Sequence, residues 1–186
     1  MRINLKQALI ICLLFSAQYA FAHNICDAYM INASQNYNVP LPILYAVSMT
    51  EAGVKQTIQP YALNIDGKGV FPKTKKEALL IIAKAKKHGA KYIDVGCMQI
   101  NELYHGKHFS SLVDMLDPKL NINYGAKFLK ELYEKQKSWT IAVARYHTGD
   151  RNSQEQKRYL CKVIKNLVAT GFGGSIKASA RFCSNL

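Results

Sequence analysis

Glu51 is a carboxylate at the end of a segment that is otherwise apolar. The segment begins at Leu41, and Gly53 follows Glu51 as a helix stop signal. Leu44 and Val47 precede Glu51 on the same helix face, the one that buries apolar side chains. Partial desolvation and the negative end of the helix dipole would both raise the pKa of the Glu51 carboxyl group. An acid that stays protonated near neutral pH suits general acid catalysis of glycosidic-bond cleavage; the alternative is a last-turn Glu that faces water.

Three further segments contain polar residues at spacings that recur in one enzyme family. Residues 94–101, Asp-Val-Gly-Cys-Met-Gln-Ile-Asn, resemble the D-x-G-L-M-Q-I-N signature of lytic transglycosylases, lysozyme-fold enzymes that cut bacterial peptidoglycan. Residues 117–125 resemble the family's D-P-x-x-N-x-x-x-G helix start, and residues 144–149 resemble its A-x-Y-N-x-G segment. Residues 51–53 resemble its catalytic E-S-x motif. The four motifs occur in the family's order, and each alone would be a weak signal.

The resemblance implies a lytic mechanism in which Glu51 is the single general acid and base. Glu51 would protonate the oxygen between N-acetylmuramic acid and N-acetylglucosamine. It would then take the proton from the muramic C6 hydroxyl, which closes onto C1 and gives a 1,6-anhydro sugar. Because the substrate supplies the nucleophile, the second carboxylate that glycosidases usually need is dispensable.

The resemblance also implies roles for three other residues. Tyr146 would hydrogen-bond near Glu51 and hold its orientation. Gln99 would bind the glycan by hydrogen bonds, and Met98 would contact a sugar face. Packing in the core is the alternative for Tyr146 and Met98, whereas a buried Gln99 amide must find hydrogen-bond partners.

Asn101 and His147 complete the predicted substrate-binding set. Asn101 closes the 94–101 segment, and His147 stands where the family has Asn. Protonation of His147 would tune binding at about pH 6 to 7, unless the residue only caps the end of its helix.

A second catalytic carboxylate would change the reaction from lytic cleavage to hydrolysis. Asp94 is the first candidate for that role, although a turn or capping function is the alternative. Asp66 and Glu102 are weaker candidates.

The chain departs from the family pattern in three places. Ala52 stands where the family has Ser, and Cys97 stands where it has Leu. The 45 residues from Glu51 to Gly96 are roughly twice the expected spacing, because a turn region and a helix over residues 74–88 are inserted. The lysines of that helix would add a basic wall to the cleft, or form a solvated face.

Four cysteines remain after removal of the first 22 residues, and an even number in an exported chain favours two disulfides. Three connectivities are possible. We favour Cys26–Cys97, which would tie the first helix to the 94–101 segment, with Cys161–Cys183 holding the tail. A zinc site from Cys97 with two histidines, His105 and His108, matches no common ligand spacing, so we predict no metal and no cofactor.

The mature sequence is typical of one compact domain that is mainly α, in the α+β lysozyme-like class. Extended or irregular structure is expected around residues 60–72 and 91–101. Residues 171–186 are a Gly/Ser-rich tail that we expect to be loosely packed unless Cys183 pins it. Gly125, within an apolar helical stripe, predicts close contact with a neighbouring helix. The helices are predicted at 26–37, 40–51 and 74–88, and from Asp117, Ser138 and Ser153 onward.

Residues 1–22 have the features of a secretory signal peptide. Two basic residues precede a run without charge from Gln7 to Ala22, which ends in a small-x-small cleavage site. We predict cleavage after Ala22, a periplasmic location, and no membrane span in residues 23–186. Loss of the two basic residues lowers the net charge from +13 to +11. A basic exported protein is attracted to polyanions such as cell-wall polymers and anionic lipid surfaces, and export disfavours nucleic acid.

Three functions are compatible with these patterns. The first is a lytic transglycosylase acting on peptidoglycan glycan strands, of the small periplasmic type associated with secretion or conjugation machines. The second is a muramidase that hydrolyses the same bond with Asp94 or Asp66 as its second carboxylate. The third is a non-catalytic peptidoglycan-binding subunit of a secretion apparatus.

Overall fold

The structure, a computed structural model, describes residues 24–149, 153–171 and 177–184; the predicted signal peptide, residues 1–22, lies outside them. This part of the chain is mainly α-helical with a small antiparallel sheet, which confirms the predicted mainly α, α+β lysozyme-like fold class. The helices are α1 Ile25–Tyr37, α2 Leu41–Ala52, α3 Lys75–Lys87, α4 Glu102–His105, α5 Leu112–Met115, α6 Pro118–Gln136, α7 Trp139–Thr148, α8 Ser153–Ala169 and α9 Lys177–Cys183. None of these described helices is both long and apolar enough to cross a bilayer.

Side-chain caps begin several helices where the sequence predicts them. The Thr74 hydroxyl accepts a hydrogen bond from the Glu77 amide at the start of α3. The Asp117 carboxylate accepts from two amides of the first turn of α6, and the Ser138 hydroxyl accepts from the Ile141 amide at the start of α7. Each cap satisfies amides that have no partner within the helix.

The strands form two small antiparallel sheets. A pair, β1 and β2, follows α2 directly, and the larger sheet has the order β4-β3-β5-β6. In the larger sheet Asn64 lies opposite Asp94, and Asp94 lies opposite Asn101, so three polar residues share one row across neighbouring strands. The strands are β1 Gly53–Val54, β2 Thr57–Ile58, β3 Leu63–Ile65, β4 Lys68–Val70, β5 Ile93–Val95 and β6 Ile100–Asn101.

The core lies between the long helices. Helix α1 packs against α6, α6 against α7, and both α2 and α7 against α8. Met30, Leu44, Ile122 and Leu129 are fully buried at these contacts. Helix α3 contacts the body mainly through α5, so this inserted helix lies at the edge of the domain.

The neighbour of Gly125 is a loop side chain rather than a helix, so that prediction was wrong. A Cβ atom at Gly125 would lie 2.8 Å from Cγ of Met98. The glycine therefore leaves room for Met98, which is fully buried.

Both favoured disulfides are present, Cys26–Cys97 and Cys161–Cys183. Because Cys97 is bonded to Cys26, the zinc alternative that included Cys97 is excluded. Within the tail, which we expected to be loosely packed unless Cys183 pins it, residues 177–183 form α9. Cys183 joins that helix to α8 and explains its order.

Candidate active site

Buried hydrogen bonds hold the 94–101 segment in place. The Ser48 hydroxyl of α2 donates to the Cys97 carbonyl oxygen at 2.7 Å. The fully buried Asn121 accepts from the Met98 amide and donates to the carbonyl oxygens of Val95 and Met115, each at 2.9 Å. A Cβ atom at Gly96 would lie 2.6 Å from the Asn121 side chain, so only glycine allows this approach.

A cleft of about 390 Å³ opens between this segment and the ends of α2 and α7. It brings together five of the predicted site residues and the candidate second carboxylate. Its lining consists of Glu51, Asn64, Asp94, Gln99, Ile100, Asn101, Tyr104, His105, Phe128, Arg145, Tyr146, His147, Thr148 and Gly149.

Glu51 reaches this cleft from the last turn of α2 with only 12% of its side chain exposed. Burial and, to a smaller extent, the charge of Asp94 raise the pKa of the Glu51 carboxyl group, and the net pKa is about 7. A hydrogen bond from Tyr159 and the charge of Lys162 oppose that shift. Glu51 therefore exchanges its proton near neutral pH, as a general acid and base requires.

The hydrogen bond to Glu51 comes from Tyr159, which the sequence analysis did not include in the site. The Tyr159 hydroxyl on α8 donates to Glu51 Oε1 at 2.6 Å, and Tyr159 is 4% exposed. Its position in the apolar stripe of α8 was the available signal, because a buried tyrosine hydroxyl needs a partner.

Tyr146 lines the cleft, but its hydroxyl donates to the Met98 carbonyl oxygen at 2.9 Å. Its predicted role in holding Glu51 is thus corrected: Tyr146 holds the 94–101 segment. Burial raises the pKa of the Tyr146 hydroxyl well above its usual value, so the group stays a donor.

His147 lies beside Glu51, with Nδ1 3.8 Å from Oε1. Its ring is stacked on that of Tyr159, with centroids 4.6 Å apart and an angle of 3° between the planes. Burial lowers the pKa of the His147 imidazole, and the Lys162 charge adds to this, while Glu155 and Asp94 oppose it.

The opposite wall of the cleft is the polar row of the sheet. Asn101 Nδ2 donates to Asp94 Oδ1 at 2.6 Å, and the buried Oδ1 of Asn64 has no hydrogen-bond partner within the described part of the chain. Burial raises the pKa of the Asp94 carboxyl group, whereas the Asn101 hydrogen bond and the charge of His147 lower it.

Gln99 also lines the cleft, in a left-handed backbone conformation with φ of 46°. Its Nε2 donates to the carbonyl oxygens of Ala62 at 2.9 Å and Gly96 at 3.1 Å. These bonds fix the Gln99 amide at the floor of the cleft. They provide the hydrogen-bond partners that the sequence led us to expect for a buried amide.

Three expectations about this region are corrected. Met98 is fully buried and cannot contact a sugar face. Asp66 lies in the β3–β4 turn, where its carboxylate accepts from the amides of Lys91 and Tyr92, and Glu102 pairs with Lys86. None of these three is among the cleft-lining residues of the described chain.

The lysines of α3 do not form a wall of the cleft within the described residues. Lys75 pairs with Asp117 at 3.3 Å, and Lys86 pairs with Glu102, both at the side of α3 that faces the body. The remaining lysines of α3 form the solvated face that was the alternative.

A family model described as the transglycosylase SLT domain matches residues 28–167. The match covers both walls of the cleft. The chain belongs to the transglycosylase SLT domain family. Searches of the curated proteins and of the solved structures each returned no significant match. Family membership indicates a transglycosylase with peptidoglycan as its substrate, in agreement with the motif order in the sequence.

Proposed function

We propose that this SLT-domain protein is a lytic transglycosylase that cleaves the β-1,4 bond between N-acetylmuramic acid and N-acetylglucosamine. One observation carries the proposal: Glu51 is a nearly buried carboxyl group at the cleft, with a pKa of about 7 and a hydrogen bond from Tyr159. Such a group is half protonated at neutral pH and can act in both directions of a proton transfer.

In the first step the protonated Glu51 gives its proton to the glycosidic oxygen, and the bond to the muramic C1 breaks. Glu51 is then a carboxylate, and the Tyr159 hydroxyl donates to it. In the second step Glu51 takes the proton of the muramic C6 hydroxyl, whose oxygen bonds to C1. Glu51 ends the cycle protonated, and the product has a 1,6-anhydromuramic end.

The other cleft residues would bind and orient the glycan. Gln99 and Asn101 present amides whose positions are fixed by their own hydrogen bonds. Tyr146 and His147 form the wall next to Glu51. Preorganised polar groups of this kind favour one sugar orientation at little entropic cost.

Hydrolysis is the second candidate, and a specific observation favours it. Asp94 lies in the same cleft, and its charge acts on the pKa of Glu51. Hydrolytic glycosidases usually have two carboxyl groups in one cleft. The second carboxyl group activates water or stabilises the oxocarbenium-like transition state. Asp94 would have that role in a muramidase. A non-catalytic peptidoglycan-binding subunit is the third candidate.

We also propose that the protein acts in the periplasm after removal of residues 1–22. Two disulfides fit an oxidising compartment, and peptidoglycan is found outside the cytoplasm. A secretion or conjugation machine is the proposed partner, on the resemblance of the motifs alone.

Mass analysis of the sugars that residues 23–186 release from purified peptidoglycan tests the function. We expect 1,6-anhydromuramic ends from the wild type and none from Glu51→Gln. Glu131→Gln, an exposed carboxylate on α6, is the matched control and should give wild-type products. Reducing ends would show hydrolysis and point to Asp94, whereas retained binding without release would favour the non-catalytic subunit.

A further inference from the structure

His147 contacts the Glu51–Tyr159 pair in a way that its place in the motif does not explain. The family has Asn at this position, and an amide cannot be protonated near neutral pH. Here Nδ1 lies 3.8 Å from Glu51 Oε1, the oxygen that already accepts the Tyr159 hydroxyl. The imidazole also covers the Tyr159 ring in a parallel stack.

The geometry leaves His147 one short movement away from Glu51. A charge-assisted hydrogen bond has a length of about 2.8 Å, so closing the present gap requires a shift of about 1 Å. About half of the His147 side chain, 49%, is exposed at the cleft, so the ring has room to move. Because the imidazole is parallel to the Tyr159 ring, such a shift can occur by sliding along that ring.

The charged and titratable groups around His147 come from each neighbouring element. Glu51 faces it from α2, Asp94 from β5, and Glu155, Tyr159 and Lys162 from α8, with Arg145 and Tyr146 next to it on α7. Glu155 and Asp94 favour the imidazolium, while burial and Lys162 disfavour it more strongly, so the pKa of His147 falls below its ordinary 6.5. The pKa of Glu51 is raised and that of His147 is lowered, and both shifts favour a protonated carboxyl group beside a neutral imidazole. This is the reverse of the ordinary order for Glu and His.

We propose that His147 is a positioning residue for Glu51: its neutral imidazole supports the carboxylate after Glu51 has given up its proton, and its protonation stops the cycle. The inference rests on the proposed acid–base role of Glu51. The proton that leaves Glu51 for the glycosidic oxygen is replaced by the one from the C6 hydroxyl, so His147 gains and loses no proton during turnover. It acts only through Glu51.

Protonation of His147 would stop turnover for an electrostatic reason. An imidazolium beside Glu51 favours the carboxylate, and thereby lowers the pKa of Glu51. Glu51 would then hold a proton less well, and its carboxylate would be a weaker base towards the C6 hydroxyl. Activity should therefore decline on the acid side as His147 titrates.

The pH dependence of kcat for the wild type and His147→Asn tests this inference. The variant restores the family's amide, which can donate a hydrogen bond but does not titrate. We expect its acid-side decline to move to lower pH, because the titrating imidazole is gone, while the alkaline limb, which reports Glu51, stays near pH 7. His88→Asn, which removes an exposed histidine next to α3, should retain the wild-type profile. An unchanged acid limb in His147→Asn would overturn the proposal.

Nuclear magnetic resonance of the His147 ring provides a test that needs no turnover. In the wild type we expect two inflections in the His147 titration, one of them near pH 7 from ionisation of Glu51. In Glu51→Gln we expect the inflection near pH 7 to be absent. Identical single titrations in both proteins would overturn the inference. Release of reducing ends in the mass analysis would contradict the proposed lytic reaction. It would not decide the inference about His147, which the titrations test separately.

Discussion

The two walls of the cleft each hold a carboxyl group, and they hold it by different means. On the helical wall, burial at the end of α2 raises the pKa of Glu51 to about 7. On the sheet wall, burial also raises the pKa of Asp94, but the Asn101 amide donates to its carboxylate and opposes the shift. The helix end thus keeps a proton on its acid, and the strand register supplies a donor that stabilises a charge.

The difference between the walls separates the roles that two acids of one cleft can have. A group that titrates near neutral pH can transfer protons, and a carboxylate that accepts a fixed hydrogen bond can stabilise positive charge or orient water. In the proposed lytic mechanism the helical wall carries out the proton transfers, and the sheet wall binds the glycan. Hydrolysis would need both carboxyl groups for the chemistry. The loss of activity on substitution of Glu51, compared with the loss on substitution of Asp94, therefore distinguishes the two reactions.

The largest expected effect separates Glu51 from Asp94. Glu51→Gln should lower kcat/KM on purified glycan strands by about 10³-fold, because general acid–base catalysis typically contributes 10² to 10⁴. Asp94→Asn should lower it by only about tenfold if the sheet wall provides electrostatic support alone. Initial rates of the two variants, compared with Glu131→Gln, measure the ratio. Equal losses would mean that both carboxyl groups take part in the chemistry.

The second effect concerns stability, since the raised pKa of Glu51 is a cost of folding. The ordinary pKa is 4.5 and the folded value is about 7, so the folded state binds this proton more tightly. Stability from this group is therefore present below pH 4.5 and is lost as pH rises through 7, by about 3 kcal/mol in total. Glu51→Gln should raise the free energy of unfolding at pH 8 but not at pH 4. Urea denaturation at both pH values measures this, and equal effects would contradict the desolvation of Glu51.

On the helical wall, the sequence predicted the residue that local helical periodicity identifies, but not its distant partner. Local periodicity identifies Glu51, because Leu44 and Val47 lie on the same face of its helix and are apolar. It does not identify Tyr159, which is 108 residues away. Asp94 and Asn101 belong to one motif, but their hydrogen bond depends on strand pairing. Met98 was assigned to the groove, and the space left by a glycine in α6 draws it into the core. These contacts join residues that are far apart in the chain. They depend on the packing of the whole domain, which local patterns in a single sequence do not reveal.

A smaller effect tests the phenol on the helical wall. Tyr159→Phe removes the donor to Glu51 Oε1, which lowers the pKa of Glu51 in the wild type. The pKa should therefore rise in the variant, and the alkaline limb of kcat/KM should move upward. We expect kcat to fall by about tenfold, because the ionised Glu51 loses a charge-assisted hydrogen bond.

The control for Tyr159→Phe is Tyr133→Phe. Tyr133 is an aromatic residue of α6 that stacks on Trp139 away from the cleft. Its loss of a hydroxyl should leave both limbs of the pH profile in place. An alkaline limb that moves downward in Tyr159→Phe would show that the phenol does not favour the carboxylate form of Glu51.

The smallest effect tests the sheet wall through its amide. Asn101→Ala removes the amide that donates to Asp94 Oδ1. Asn101→Asp keeps the size of the side chain but places a second carboxyl group beside Asp94. In Asn101→Ala the pKa of Asp94 should rise, and kcat/KM should fall by about threefold, most strongly at low pH. In Asn101→Asp, repulsion between the two carboxylates should raise the pKa of Asp94 further and increase the loss. The Oδ1 atom of Asn101 also accepts from the Tyr104 amide and caps α4. A loss that is independent of pH in both variants would mean that Asn101 acts through this cap rather than through its hydrogen bond to Asp94.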